Sequence, residues 1–151
     1  MKKSNQIIAL LLLAAMLCVM ACGCAGKQNG SKDSEMNDPN RDWEPIETKF
    51  GTLKYPDQFI DYVETEQKET EKGVSVLFRA KIGEKRIDMF EMTIGEGEGE
   101  AVGKLTGPDG VKRDVYLRFI ELSDLSGLTE GEKNRVYAMQ ECLNFVIDNL
   151  K

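Results

Sequence analysis

Apolar and polar residues alternate with a period of two through much of the chain after residue 50. The clearest run has five apolar residues at every second position: Val74, Val76, Phe78, Ala80 and Ile82. Alternation of this length predicts a β-strand with one buried face. Less regular alternation predicts five further strands, over residues 50–55, 62–68, 86–94, 101–105 and 111–122.

Three of these strands carry features that predict their place in a sheet. Residues 62–68 are mostly polar, which is typical of an edge strand that is protected against pairing with another chain. Residues 111–122 have apolar side chains on both faces, which predicts a central position. In residues 86–94 the apolar phase changes between Met89 and Phe90, and this change predicts a β-bulge or burial on both faces.

The period of the pattern changes near the C-terminus. Thr129 and Glu132 have the spacing of a capping box at a helix start. Apolar residues then recur at spacings of three and four, which predicts a helix with one apolar stripe. We expect this helix to bury Val136, Met139, Leu143 and Val146. The predicted fold class is α+β: a five- or six-stranded, mainly antiparallel sheet covered by a C-terminal helix.

The first 27 residues follow a different pattern. Met1-Lys2-Lys3 is basic, residues 7–20 are uncharged and mostly aliphatic, and Val19-Met20-Ala21-Cys22 places a small residue before a cysteine. This arrangement resembles the signal peptide and lipobox of bacterial lipoproteins. The resemblance implies that residues 1–21 are removed and that Cys22 is modified with fatty-acyl chains such as palmitate. The protein would then be extracytoplasmic and held at the cell membrane by lipid.

Two alternatives to cleavage before Cys22 remain open. Residues 7–25 are 19 residues without a charge, enough for a plain transmembrane anchor. Cys24 is a second candidate for lipidation, although Ala21 would then stand where the lipobox has an aliphatic residue. Both a lipid anchor and a membrane-spanning anchor place the rest of the chain outside the cytoplasmic membrane.

Composition divides the remaining chain into a tether and one domain. Residues 22–42 form a polar segment without apolar periodicity after the cysteines, which predicts a lipidated N-terminus followed by a flexible linker. Residues 43–151 hold all the predicted strands and the helix. These 109 residues are enough for one modest core and too few for two.

Charge and residue usage exclude several classes of function. The chain has 20 basic and 26 acidic residues, and cleavage would also remove Lys2 and Lys3. Nucleic acid is therefore a poor partner, because its binding depends on clustered Lys and Arg. The chain has no histidine, which excludes Ser-His-Asp and Cys-His catalysis. A Cys24–Cys142 disulfide stays open, but four cysteines in this arrangement do not form a disulfide framework.

The string Gly95-Glu96-Gly97-Glu98-Gly99-Glu100 is the most unusual local sequence. Three carboxylates on a flexible loop suggest Ca²⁺ binding, but the string lacks EF-hand spacing, and converging on an ion would cost ordering entropy. We expect a solvated acidic hairpin loop. Cys142 has no histidine partner and lies beside the helix stripe, so we expect an inert, buried thiol. We expect Trp43 to cover a sheet edge or to lie exposed as a contact residue.

Two further resemblances cover short stretches. Residues 50–57, FGTLKYPD, followed by hairpins and a final helix, are similar to the entry of PsbP-like domains, which implies an antiparallel sheet between helices. Residues 137–141, YAMQE, look like small secreted lipoproteins of Gram-positive anaerobes. Neither resemblance implies catalytic residues, and a fold does not by itself carry a function.

These observations predict a noncatalytic extracytoplasmic lipoprotein. It would be a binding or accessory module of the cell envelope that docks to an envelope protein and uses no cofactor, no metal ion and no catalytic residue. The alternative is a lipoprotein that binds a small solute or a cation, which would need a concave pocket with convergent polar groups.

Overall fold

Two short strands open the folded part of the chain, for which a computed structural model describes residues 41–122 and 124–151. β1 (Trp43–Thr48) and β2 (Gly51–Pro56) pair antiparallel as a two-stranded sheet. The sequence pattern predicts β2 but misses β1, in which Pro45 interrupts the pattern. β1 buries Trp43 and Ile46, and the ring of Trp43 lies within 5.1 Å of Arg41 and 4.2 Å of Lys54. Trp43 is therefore a buried residue, only 8% exposed, and not an exposed contact.

The other strands form one five-stranded antiparallel sheet, which confirms the predicted fold class. After a 3₁₀ helix (Asp57–Tyr62), the strands are β3 (Val63–Glu69), β4 (Gly73–Ile82), β5 (Lys85–Gly95), β6 (Glu100–Thr106) and β7 (Lys112–Phe119). Their order across the sheet is β3-β4-β5-β7-β6. β3 is an edge strand and β7 has a neighbour on each side, as the sequence predicts.

One face of this sheet carries the core. The predicted alternation in β4 is confirmed, because all five apolar residues of its regular run are buried. The rings of Tyr55, Phe78 and Phe90 stack in a row from β2 to β5, with centroids 5.7 and 4.5 Å apart. Such aromatic pairs add about 0.5–1.5 kcal/mol each beyond the area that they bury. They join the two-stranded sheet to the inner face of the five-stranded sheet.

The bulge predicted in β5 lies at Met89. Phe78 pairs with Phe90 and Arg79 pairs with Asp88, so Met89 has no partner on β4. Met89 and Phe90 are both fully buried, although they are consecutive in the strand. This extra residue explains why the apolar positions of β5 shift by one residue between Met89 and Phe90 in the sequence.

The opposite face of the sheet is polar and its charges are paired across strands. Arg79 contacts both Glu66 and Asp88 at 2.6 Å, and Arg86 contacts Glu64 at 2.5 Å. Exposed ion pairs of this kind contribute only about 0–1 kcal/mol each. Leu77 also lies on this face, where it is half-buried between its strand partners Glu66 and Glu91.

The predicted C-terminal helix consists of two helices, α1 (Glu130–Glu141) and α2 (Leu143–Asp148). The capping box is confirmed, since Thr129 and Glu132 bond each other's backbone N–H groups. Val136, Met139 and Val146 are buried as predicted. The prediction for Leu143 is wrong: it is only half-buried, because the helix is interrupted at Cys142 just before it.

The GEGEGE segment is a crossover and not a hairpin loop, which corrects that prediction. β6 pairs with β7 and not with β5, so residues 95–99 pass across β7. The glycines allow this close passage: a Cβ on Gly97 would lie 2.3 Å from Thr93 Cγ2, and one on Gly99 would lie 2.5 Å from the Leu117 carbonyl oxygen. Thr93 lies between buried Met92 and Ile94, so the crossover runs over the polar face.

No helix within residues 41–122 and 124–151 is both long enough and apolar enough to cross a membrane. Several predictions fall on residues outside the described part of the chain: the signal peptide, the lipobox with Cys22, the alternative lipidation at Cys24 and the linker up to residue 40.

Candidate functional site

A shallow groove of about 290 Å³ lies between the end of β7 and the junction of the two helices. We call it the aromatic groove, and it is lined by Phe119, Tyr137, Gln140, Glu141, Leu143 and Asn144. Phe119 is 58% exposed and Tyr137 is 48% exposed. Single exposed aromatics need no explanation, but two that line one depression mark a contact surface.

The sheet exposes Phe119 because its neighbouring strand is short. β6 begins with Glu100, which pairs with Leu117, so β6 does not extend as far as Phe119. On its other side Phe119 pairs with Phe90 of β5. The register places Phe119 on the same face as the buried Phe90 and Val115, yet the side chain of Phe119 is exposed.

The opposite wall depends on the break between α1 and α2. The buried Tyr55 hydroxyl donates a hydrogen bond to the Met139 carbonyl oxygen at 2.9 Å. In a continuous helix that carbonyl would accept from the backbone N–H of Leu143, four residues later. Insertion of a side chain into the helical ladder is a recognised cause of a kink. The break lies directly before Leu143, which lines the groove together with Tyr137 and Asn144.

Gln140 anchors this wall to the sheet. It is buried, and its side-chain amide donates to the carbonyl oxygens of Met89 at 2.8 Å and of Ile120 at 2.7 Å. One carbonyl is at the β-bulge and the other immediately follows Phe119. A buried polar side chain with both donors satisfied fixes the distance between elements. The groove is therefore preformed in the folded domain.

The charge around the aromatic groove is negative. Glu141 lines it, and Glu100 lies on the same face of the sheet as Phe119, diagonally across from it. No Lys or Arg is among its lining residues. Lys133, one helical turn before Tyr137, is paired with Glu130 at 2.7 Å. A partner would meet two carboxylates beside an apolar depression.

A second cavity, of about 330 Å³, lies at the β4–β5 turn and is polar. Its lining residues are Lys85, Arg86, Ile87, Asp88, Ile120, Glu121 and Asp124. Lys85 donates to the Ser126 carbonyl oxygen, and hydrogen bonds from Ser126 hold the pKa of Asp124 below its ordinary value. Much of the polar surface in this cavity therefore already has partners within the chain.

The glutamates considered as calcium ligands are exposed and do not converge. Glu96 pairs with Lys72 at 3.3 Å, whereas Glu100 opens β6. Within residues 41–122 and 124–151, no group of three or more His, Cys, Asp or Glu residues is arranged to hold a metal ion.

Cys142 is a half-buried free thiol whose Sγ lies 3.3 Å from the Ala138 carbonyl oxygen. Burial raises the pKa of the Cys142 thiol, and burial also raises the pKa of the neighbouring Tyr55 phenol. Both groups are therefore neutral at physiological pH, and the thiol is poorly suited to be a nucleophile. Cys24, the other residue of the disulfide that the sequence leaves open, lies outside the described residues.

Comparison with known proteins suggests no function for this chain, so a proposed function has to be argued from the sequence and the structure. No protein-family model, no curated protein and no solved structure matches this chain. The similarities to bacterial lipoproteins and to PsbP-like domains therefore stay hypotheses drawn from the sequence.

Proposed function

We propose that the protein is a noncatalytic lipoprotein that works outside the cytoplasm as a binding or accessory module of the cell envelope. Its cysteine at position 22 would carry the lipid, residues 22–42 would form the tether, and residues 43–151 would form the binding domain. The lipobox pattern supports the location. The aromatic groove supports binding as the activity, because it offers a contact surface.

The observation that carries the proposal is the shape and lining of the aromatic groove. Its volume of about 290 Å³ is close to the lower end of the range of roughly 300–1,000 Å³ that is typical of small-molecule sites, so the lining of the groove, and not its size, distinguishes the two kinds of partner. Phe119 and Tyr137 are large apolar residues with polar neighbours, which is the composition of a protein contact patch. A protein partner that covers both rings would remove this apolar surface from water.

A small-solute binding protein is the alternative, and the polar cavity at the β4–β5 turn favours it. That cavity carries both signs of charge and is at the lower end of the small-molecule range. A thermal-shift screen with amino acids, small anions and divalent cations would test this alternative. A saturable rise in melting temperature that Lys85→Ala abolishes would support solute binding over protein binding.

Site-specific photocrosslinking in the cells that make the protein tests the main proposal. A photoreactive amino acid at position 137 should crosslink one envelope protein, identified by mass spectrometry, and Phe119→Ser in the same chain should abolish that product. Position 111 is the matched control, because Val111 is 50% exposed and does not line the groove. The purified partner should then bind wild-type protein and not Phe119→Ser. Equal crosslinking at both positions would contradict the proposal.

A further inference from the structure

We propose that the aromatic groove binds an extended, basic segment of its partner, which pairs with the open edge of β7 and inserts one large apolar side chain between Phe119 and Tyr137. This inference rests on the proposed function and adds the conformation and charge of the partner. Three independent features of the groove support this inference. They are an open strand edge, a depression with room for one side chain, and acidic residues beside that depression.

Within residues 41–122 and 124–151, no strand pairs with the free edge of β7 at Phe119. Backbone groups of successive residues in a strand point to opposite sides. The Ile120 N–H donates to the Met89 carbonyl oxygen at 3.1 Å, toward β5, so the N–H and C=O of Phe119 point away from β5. β6 would lie on that side, but its pairing ends at Leu117. Phe119 therefore presents one donor and one acceptor at the sheet edge, directly beside the aromatic groove.

These backbone groups favour an extended partner over a helical one. A helix satisfies its own backbone groups internally, so a helix covering this edge would bury the N–H and C=O of Phe119 without partners. Each buried, unsatisfied group costs about 1–3 kcal/mol. An added strand supplies the missing donor and acceptor, and it would continue the line of β6 along β7. Peptide addition to a free sheet edge is an established mode of recognition.

The depression suits one large apolar side chain of that segment. Side chains of an added strand alternate between the two faces. Those on the helix side would point into the space between the Phe119 ring and the α1–α2 junction. The other face would meet Arg118, which is already paired with Glu91. Specificity would therefore come from residues at every second position of the partner.

The charge around the groove favours particular residues near this apolar anchor in the partner segment. Glu141 lines the groove, Glu100 lies diagonally across from Phe119 on the same face of the sheet, and no Lys or Arg is among the lining residues. Lys or Arg two positions from the apolar anchor would lie on the same face of the added strand and would be attracted to these carboxylates, whereas acidic residues there would be repelled. A second copy of this chain is disfavoured as the partner, because its own net charge is −6.

Binding of a designed peptide to the full-length protein in nanodiscs of neutral phosphatidylcholine tests the inference. The probe is Lys-Thr-Lys-Thr-Phe-Thr-Lys-Thr-Lys, which places every Lys on the same face as Phe, and it is labelled for fluorescence anisotropy; the control replaces each Lys with Glu. We expect the basic probe to bind at least tenfold tighter than the acidic control. Hydrogen exchange at the Phe119 amide should slow on binding, which a contact through side chains alone would not cause.

Backbone methylation separates strand pairing from simple apolar contact. Two versions of the basic probe carry N-methyl groups on alternate residues, one along each edge. One version should lose at least tenfold in affinity, because its methyl groups face β7, and the other should bind as the parent peptide does. Equal affinities of the two versions would overturn the inference.

Protein variants locate the contact. Phe119→Ser and Tyr137→Ala should each weaken the probe at least tenfold, and Val111→Ser should leave binding unchanged. Glu141→Lys should weaken the basic probe and strengthen the acidic one. If crosslinking at position 137 captures a partner but neither charge nor methylation affects peptide binding, this inference fails and the proposed function stands. A concentration-dependent dimer that Phe119→Ser abolishes would instead identify a second copy as the occupant.

Discussion

The hydroxyl of Tyr55 is a single polar group that hydrogen-bonds to the backbone where the C-terminal helix breaks. Its hydrogen bond to the Met139 carbonyl oxygen lies in the core, next to the half-buried Cys142 thiol. The phenol stays protonated at all physiological pH values, because burial raises its pKa. The bond is therefore permanent in the folded state, and the wall of the aromatic groove depends on it.

Replacing Tyr55 with Phe should lower the free energy of unfolding by roughly 0.5–1.5 kcal/mol, because the Met139 carbonyl loses its side-chain donor but keeps the bond from the Cys142 N–H. Chemical denaturation would measure this change. Tyr116→Phe is the matched control, since the Tyr116 hydroxyl makes no hydrogen bond within the described residues. Equal stability of Tyr55→Phe and wild type would show that the helix break does not depend on the hydroxyl.

Gly97 tests the steric explanation of the GEGEGE segment. Gly97→Ala should destabilise the domain by about 1–3 kcal/mol, because the new methyl group would overlap Thr93, whose branched side chain is stiff. Thr93→Ser, which removes the overlapping methyl group, should restore part of the loss. Gly131→Ala, at an open position of α1, should cost nothing. If Gly97→Ala is as stable as wild type, the glycines serve some purpose other than close passage.

At the scale of elements, the capping box makes the start of α1 sensitive to acid. The backbone N–H of Thr129, and then its hydroxyl, hydrogen-bond to the Glu132 carboxylate and lower its pKa below the ordinary value of 4.5. A carboxyl whose pKa is lower in the folded state stabilises that state above 4.5. This stabilisation is lost as the pH falls through the lowered pKa.

The melting temperature of Glu132→Gln should therefore depend less on pH than that of wild type between pH 5 and pH 2. Glutamine can still accept the Thr129 N–H bond, but it does not titrate. Thr129→Ala should lower stability by about 0.5–2 kcal/mol at neutral pH, through loss of the helix N-cap. If the melting temperatures of wild type and Glu132→Gln fall equally between pH 5 and pH 2, the assignment of the lowered pKa to the capping box is contradicted.

The sequence predicts most elements because each has a local cause. Three of these causes are visible without a structure: the alternation in residues 74–82, the phase change at Met89, and the spacing of Thr129 and Glu132. β1 and the β5–β6 crossover were missed because they depend on pairing between distant segments. The aromatic groove could not be predicted either. The exposure of Phe119 follows from where β6 begins, and the helix break beside the groove lies where Tyr55, more than 80 residues away, bonds to Met139.

At the scale of the whole protein, the anchor is the most specific prediction. Mass spectrometry of the membrane fraction should show a mature chain that begins with an acylated Cys22. Cys22→Ala should remain an uncleaved precursor, whereas Cys24→Ala should be processed as wild type. A chain that retains Met1, or one that begins at Cys24, would refute the lipobox assignment at residues 19–22.

The position of β7 between β5 and β6 affects the order in which the chain can fold. In the described part of the chain, β7 is the only strand neighbour of β6 and the second neighbour of β5, yet it follows both in the sequence. Both helices follow later still, so the core is incomplete until residues 112–151 are present. A chain exported from its N-terminus, as proposed here, would remain open throughout transfer and close only after its last residues emerge. Late closure suits a translocation channel that accepts only unfolded chains.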